Sequence, residues 1–208
     1  MVSSILRSAG YKVGLYTSPH LIRFNERITI DGKCISDDEI ELFVNKYKKD
    51  IDEISSTFFE TTTAMAFTHF ANENVDFAVI EVGLGGRLDS TNVVNPKITA
   101  ITPISLDHKD ILGDNLLSIA REKAGIIKKN IPVVIGHQEK NIKSYLHGVA
   151  NTNSSPAIDI EAINDVKLSS SGTHFKTRWG KFMTPLIGFH QAVNAVTAIT
   201  IIKSIDQN

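Results

Sequence analysis

The run Asp76-Phe77-Ala78-Val79-Ile80-Glu81-Val82-Gly83-Leu84-Gly85-Gly86-Arg87-Leu88-Asp89 decides how this chain is read. Consecutive apolar residues between polar ones read as a strand buried on both faces, the kind found in parallel sheets. Such sheets bind ligands outside the carboxyl ends of their strands, where Glu81 stands. A carboxylate delivered by a buried strand into a glycine-rich turn suits magnesium in phosphate-handling proteins. Two other readings stand beside it: an ion pair with Arg87 or Lys123, and a helix cap. A dinucleotide fingerprint does not fit, because a further glycine is needed where Leu88 stands.

Outward from this stretch, strand and helix signals alternate. Val2, Ile5, Leu6 and Ala9 have helical spacing and Gly10 ends them; a strand over 11–16 follows. A helix that opens the chain and feeds a strand predicts a βαβ unit whose first strand and turn precede Met1. Residues 27–30 alternate as a strand, Asp31-Gly32 supply a hairpin turn, and Ser36 with Glu39 form a capping box that opens a helix to about Ile54. A second helix is expected over 60–74, with His69 packed or exposed and not a ligand. Further strands are expected over 77–82, 98–103 and 133–135, with helices around 116–127 and 139–150. After the turn-rich joint 151–156, the segments 157–163, 166–169, 173–177 and 181–186 read as short antiparallel strands. A last helix over 190–205 is expected to bury Ala192, Val193, Val196, Ile199 and Ile202. The expected fold is α/β, a doubly wound, mainly parallel sheet with a small antiparallel subsheet over 157–186.

Composition narrows the function. The 22 basic and 23 acidic residues leave a net charge of -1, so no overall electrostatic footprint for nucleic acid or anionic lipid exists. No apolar run approaches the roughly 18 residues of a membrane span, and no secretion signal opens the chain. The single cysteine, Cys34, excludes an internal disulfide and reads as a structural or surface thiol. A protein of the cytoplasm is expected, with no nucleic-acid or membrane partner.

The polar groups expected at strand ends are Ser18, Glu81 and Asp107-His108. In a parallel sheet these loops converge on one edge, and oxygen and nitrogen donors of this kind suit magnesium or manganese beside phosphate. His108 reads equally as a ligand or as a hydrogen-bonded core residue. Lys123 reads as a partner of Glu122 or another acid, or as a buried, reactive lysine.

The motifs Thr17-Ser18-Pro19-His20-Leu21 with Phe24-Asn25-Glu26-Arg27-Ile28, Glu81-Val82-Gly83-Leu84-Gly85-Gly86-Arg87-Leu88-Asp89 with Thr91-Asn92, Leu106-Asp107-His108 with Leu112-Gly113, Arg121-Glu122-Lys123-Ala124-Gly125-Ile126, and Gly188-Phe189-His190-Gln191 with Asn194-Ala195 closely resemble the folylpolyglutamate synthase and dihydrofolate synthase family of the Mur ligase superfamily. They occur in the family's order over nearly the whole chain. The resemblance implies the central, P-loop NTPase-like domain of an ATP-dependent ligase that joins L-glutamate to a pteroate or folate carboxylate through an acyl phosphate. It implies two Mg2+ ions: Ser18 and Glu81 as ligands of one, His108 as a ligand of the second, and Lys123 as a carbamylated lysine beside it. Asn194 matches a residue contacting the adenine of ATP. Thr57, Phe58, Phe59 and Glu60, with Leu88, Asp89 and Ser90, match segments contacting the pterin-bearing substrate, although Phe58 and Phe59 read equally as core. The implied full-length enzyme acts as a monomer on small molecules.

Two departures from the pattern bear on activity. The family's phosphate-binding glycine loop is expected just before Met1 and has no match in residues 1–208, nor has the carboxy-terminal domain that binds glutamate. These residues alone are therefore expected to be inactive. Lys109 stands where the family more often has a small polar residue, and either perturbs the second metal or points outward. The alternative in another class is a non-catalytic binding or regulatory module with a folate-like pocket; a relative acting on peptidoglycan precursors is disfavoured by the glycine-rich and Thr-Ser-Pro-His segments.

Overall fold

The ladder between residues 13–16 and 77–80 positions the strand-end acid. A computed structural model describes residues 1–205 and divides them into two compact units, one of residues 3–94 and one dominated by residues 95–205.

In the 3–94 unit, helix α1 (Val2–Ser8) ends at Gly10, whose φ of 92° is the left-handed conformation that glycine adopts without penalty. Strand β1 (Val13–Tyr16) follows, then a hairpin of β2 (Ile28–Ile30) and β3 (Lys33–Cys34). The Asp31-Gly32 turn has both φ angles positive, 50° and 80°, as a two-residue hairpin requires. Helix α2 (Asp37–Glu53) opens on the expected capping box of Ser36 and Glu39. Helix α3 (Phe58–Asn72) begins two residues earlier than the apolar spacing indicates, because Thr57 caps it and Glu60 closes a second box. Strand β4 (Phe77–Ile80) completes a sheet of order β3-β2-β1-β4, with β1 and β4 parallel and the hairpin antiparallel.

Strand β4 is not buried on both faces. It stands at the edge of this sheet, with Ala78 exposed and its three companions half-buried. An apolar run records the hydrophobicity of a strand, not how many layers cover it. The core of the unit lies under β1, where Tyr16, Ile28, Ile35, Met65, Ala66 and Phe70 cluster.

In the second unit, β5 (Thr99–Ile101), β6 (Val133–Ile135) and β7 (Ala157–Asp159) form a parallel sheet of that order. Helices α4 (Lys109–Leu112) and α5 (Leu116–Ala124) connect β5 to β6, and α6 (Lys140–Thr152) connects β6 to β7. Here β6 is fully buried, and Ile135, Ile142 and Leu146 sit at the centre of the core.

The placement of residues 157–159 in this parallel sheet corrects the expected antiparallel start at Ala157. A strand that follows a helical crossover packs back beside its predecessor in the same direction. The antiparallel sheet consists of β8 (Asn164–Ser169), β9 (Gly172–Thr177) and β10 (Gly180–Thr184), and α7 (Phe189–Ile205) packs on it. Helix α7 buries Ala192, Val193 and Val196 as expected, but also Thr197, Thr200 and Ser204, while Ile199 and Ile202 are half-buried. The Thr197, Thr200 and Ser204 hydroxyls donate to carbonyls four residues back, which satisfies them without leaving the helix. Among the described residues no helix is long and apolar enough to cross a membrane.

Candidate functional site

The parallel register pairs Tyr16 with Ile80, so the two strands end level and the chain leaves both at the same edge. The Glu81 amide donates to the Tyr16 carbonyl at 2.9 Å, extending the ladder by one step. Beyond that step the Ser18 amide donates to Glu81 Oε2 at 2.9 Å. Ser18 and Glu81 are thus brought together by backbone pairing that the two strands dictate. Glu81 is exposed and Ser18 half-buried, and the Ser18-Pro19 peptide is cis.

The Glu81 carboxylate, one oxygen of which is held by the Ser18 amide, and the hydroxyl that Ser18 carries are both hard-oxygen donors. That chemistry fits magnesium, which takes one or two protein oxygens and keeps water or phosphate oxygens in its remaining positions. Among the described residues no cluster of three or more His, Cys, Asp or Glu side chains forms a self-contained metal cage.

The glycine-rich turn after Glu81 is shaped by close approach. A Cβ on Gly83 would stand 2.3 Å from the Phe59 ring, so glycine is required where that ring packs. Gly85 has a φ of 67°. Asp89 closes the turn, accepting from the amides of Leu84 and Thr91 and from the Thr91 hydroxyl. Leu88, at the tip, is exposed. Ser90 Oγ lies 3.1 Å from Thr63 Oγ1, which lies 3.2 Å from the Tyr16 hydroxyl, a polar chain running from the turn into the core. Burial pushes the Tyr16 phenol above its ordinary range, against the Thr63 hydrogen bond and the Arg27 charge.

The segment 57–60 divides by residue. Thr57 and Glu60 are engaged with each other in the cap of α3, and the Thr57 hydroxyl and amide hold the Glu60 carboxyl below the usual carboxylate range. Phe59 packs toward Tyr16, ring centroids 5.9 Å apart, and belongs with the core. Phe58 is 61% exposed. Its ring lies edge-on to Phe24 at 5.9 Å and 5.3 Å from the Arg27 guanidinium carbon.

In the second unit, His108 follows β5 with a φ of 51° and precedes α4. It is exposed, and its Nε2 lies 3.8 Å from Asp107 Oδ2, so it is no packed core residue. Lys109 is exposed. Lys123 occupies the last turn of α5 and is half-buried, and Asn194 is exposed on α7 with Nδ2 3.4 Å from Gln191 Oε1. Outside the nominated sites, Cys34 is exposed, and His69 packs with Nδ1 3.4 Å from Glu39 Oε1.

Three further groups hold the loops around these residues. Gln138 accepts from the Ile104 amide and donates to the Thr102 carbonyl, which ties down the start of the loop bearing Asp107-His108. Glu26 accepts from the amides of Leu21, Ile22 and Arg23, and this holds the loop after Ser18. Those amides, Arg23 first and then Leu21, keep the Glu26 carboxyl below its ordinary range. Arg27 donates from Nε to His20 Nδ1 at 2.9 Å. Glu26 and Arg27 lie in the Phe24-Asn25-Glu26-Arg27-Ile28 motif, which marks the segment without showing what either side chain holds.

This fold and this strand-end pair define the class: the chain belongs to the Mur ligase family, whose middle-domain model matches residues 33–202. Within that family its likeness is to folylpolyglutamate and dihydrofolate synthases. It is 40% identical over 213 residues to the dihydrofolate synthase/folylpolyglutamate synthase of Bacillus subtilis, covering 95% of this chain and 50% of that protein. A folylpolyglutamate synthase of Mycobacterium tuberculosis, solved with ADP and AMPPCP, superposes with a TM-score of 0.91 at 35% identity, over 99% of this chain and 51% of that one. A solved FPGS-AMPPCP-folate complex gives a TM-score of 0.92 at 34% identity, over 99% and 54%. The chain spans about half the length of the relatives it matches.

Proposed function

We propose that the protein carrying this chain is an ATP-dependent ligase that adds L-glutamate to dihydropteroate, folate or both. The observation that carries the reading is the Ser18 to Glu81 pairing at the level ends of β1 and β4, in a chain whose relatives are synthases of this reaction. In the proposed reaction, a substrate carboxylate oxygen attacks the γ-phosphorus of ATP and ADP leaves. The glutamate nitrogen then attacks the resulting acyl carbon, phosphate departs and the amine gives up a proton.

Ser18 and Glu81 would hold one Mg2+, and His108 would serve a second. Magnesium bound there supplies neutralisation of transferring phosphate charge. The protein's own task is positioning: the Glu81 carboxylate is fixed by a backbone amide, so it needs little reorganisation as charge develops. Lys123, if its ammonium gave up two protons as Nζ bonded to carbon dioxide, would become a carbamate anion where a cation stood. Asn194 is assigned to the adenine of ATP, and Thr57 to Glu60 with Leu88 to Ser90 to the pteroyl substrate. Within those segments the exposed side chains of Phe58 and Leu88 are available to a ligand, whereas Thr57, Glu60 and Asp89 support the loops that present them.

The test is Glu81→Gln in the protein as its gene encodes it. ADP release dependent on magnesium, glutamate and dihydropteroate should fall by about 100-fold or more, the scale of losing one preorganised charge-stabilising group. Activity within twofold of wild type would exclude the role assigned to Glu81.

A further inference from the structure

Arg27 is a buried cation. It is 8% exposed, yet no carboxylate pairs with it among the described residues. Its Nε is spent on His20 Nδ1, and its face lies against the Phe58 ring. Neither terminal nitrogen meets an acceptor among the described residues. No buried side-chain nitrogen or oxygen among the described residues lacks a partner, so the outer edge of the guanidinium reaches the surface. That edge faces water in the free protein, and an anion with two oxygens can replace the water with paired, charge-assisted hydrogen bonds beside a largely buried side chain.

The surroundings specify what kind of anion. Phe58 is exposed beside the guanidinium, Phe24 meets it edge-on, and His20 lies edge-on to Phe24 with centroids 6.4 Å apart. Leu21 and Ile22, held by Glu26, project almost fully into solvent from the same loop. A planar fork bordered by aromatic and aliphatic surface matches a carboxylate carried on an aromatic body. The location agrees, because the Arg27 carbonyl accepts from the Thr17 amide and the next amide, of Ser18, holds Glu81.

From this arrangement we infer that Arg27 holds the carboxylate of the aromatic acid substrate through its two terminal nitrogens, with Phe58 and Phe24 against the ring that bears it. The inference rests on the ligase reading above for the identity of that acid as a pteroate. It assigns to Arg27 the discrimination between an acid and its neutral analogue. Lysine would keep the charge but lose the two-pronged geometry.

The experiment is a fluorescence titration, without turnover, of the protein as its gene encodes it with pteroate and with the pteroate carboxamide. Wild type should prefer the acid by about tenfold or more, as a charge-assisted forked pair implies. Arg27→Gln should bring the two affinities within about twofold, and Arg27→Lys should give an intermediate ratio. Because the ratio is taken within each variant, a partly unfolded fraction cancels. An Arg27→Gln protein that keeps the wild-type ratio, or that loses only binding of L-glutamate, overturns the assignment and leaves the ligase reading standing. Wild-type protein that binds neither pteroate nor its amide overturns the pteroyl reading beneath it, whatever Arg27 does.

Discussion

Gly83 and Phe59 illustrate the residue scale, because each is explained by the other. The ring fills the space a Cβ would need, so Gly83→Ala forces the ring or the strand-end turn to move. A cost of about 1–3 kcal/mol is expected, the usual range for overpacking. Urea denaturation should show that cost shrinking in a Phe59→Leu background, where the obstructing edge is absent. Glu26 acts by the opposite means, drawing three amides onto one exposed carboxylate. Its lowered pKa means that the clamp persists above the ordinary carboxylate range and is lost as pH falls through the lowered value. Glu26→Gln should therefore speed hydrogen exchange at Leu21, Ile22 and Arg23 near neutral pH while leaving β1 protected. Equal exchange in the two proteins would exclude the clamp.

At the scale of elements, helix ends and strand ends do different work. The cap of α3 ties the segment 57–60 to helix stability, so Thr57→Ala should lower unfolding free energy by about 1 kcal/mol. If Thr57 serves only as a cap, pteroate affinity should stay within about twofold once the variant is fully folded, and a larger loss would give it a direct contact. At the end of β7, Asp159 takes Lys143 at 2.9 Å and His147 at 3.0 Å from α6, joining helix to strand. Partial burial opposes ionisation, but the hydrogen bonds from Lys143 and His147 prevail and hold the carboxyl below its ordinary value. A lowered carboxylate pKa contributes stability that is fully present above about pH 4 and disappears as pH falls through the folded value. Asp159→Asn should cost under about 1 kcal/mol at pH 7, given the exposure of the group, and nothing once the wild-type carboxyl is protonated. Unfolding titrations across that range check the sign.

At the scale of the whole molecule, the ligase proposed above would need a phosphate cradle besides the strand-end pair. Residues 1–208 contain no glycine-rich loop with lysine and serine, the device whose amides cradle nucleotide phosphates. Purified polypeptide of these residues should show no steady ATP-dependent glutamate addition, and sustained turnover would refute this. Each described unit does have its own buried cluster, centred on Tyr16, Ile28 and Phe70 in one and on Ile135, Ile142 and Leu146 in the other.

The sequence by itself determined the alternation of strand and helix, the hairpin at Asp31-Gly32, the capping box at Ser36 and the strand-end position of Glu81. These depend on residues within a few positions of one another, where periodicity, turn preference and capping act directly. Tertiary structure decided which strands pair, and thereby set residues 157–159 in a parallel sheet and left Ala78 on an exposed edge. It also decided that Ser18 meets Glu81, 63 positions away, that Phe59 faces the core while Phe58 does not, and that Arg27 is buried without a counter-ion among the described residues. Such outcomes depend on long-range burial and on which polar groups find partners, quantities that a local pattern does not contain.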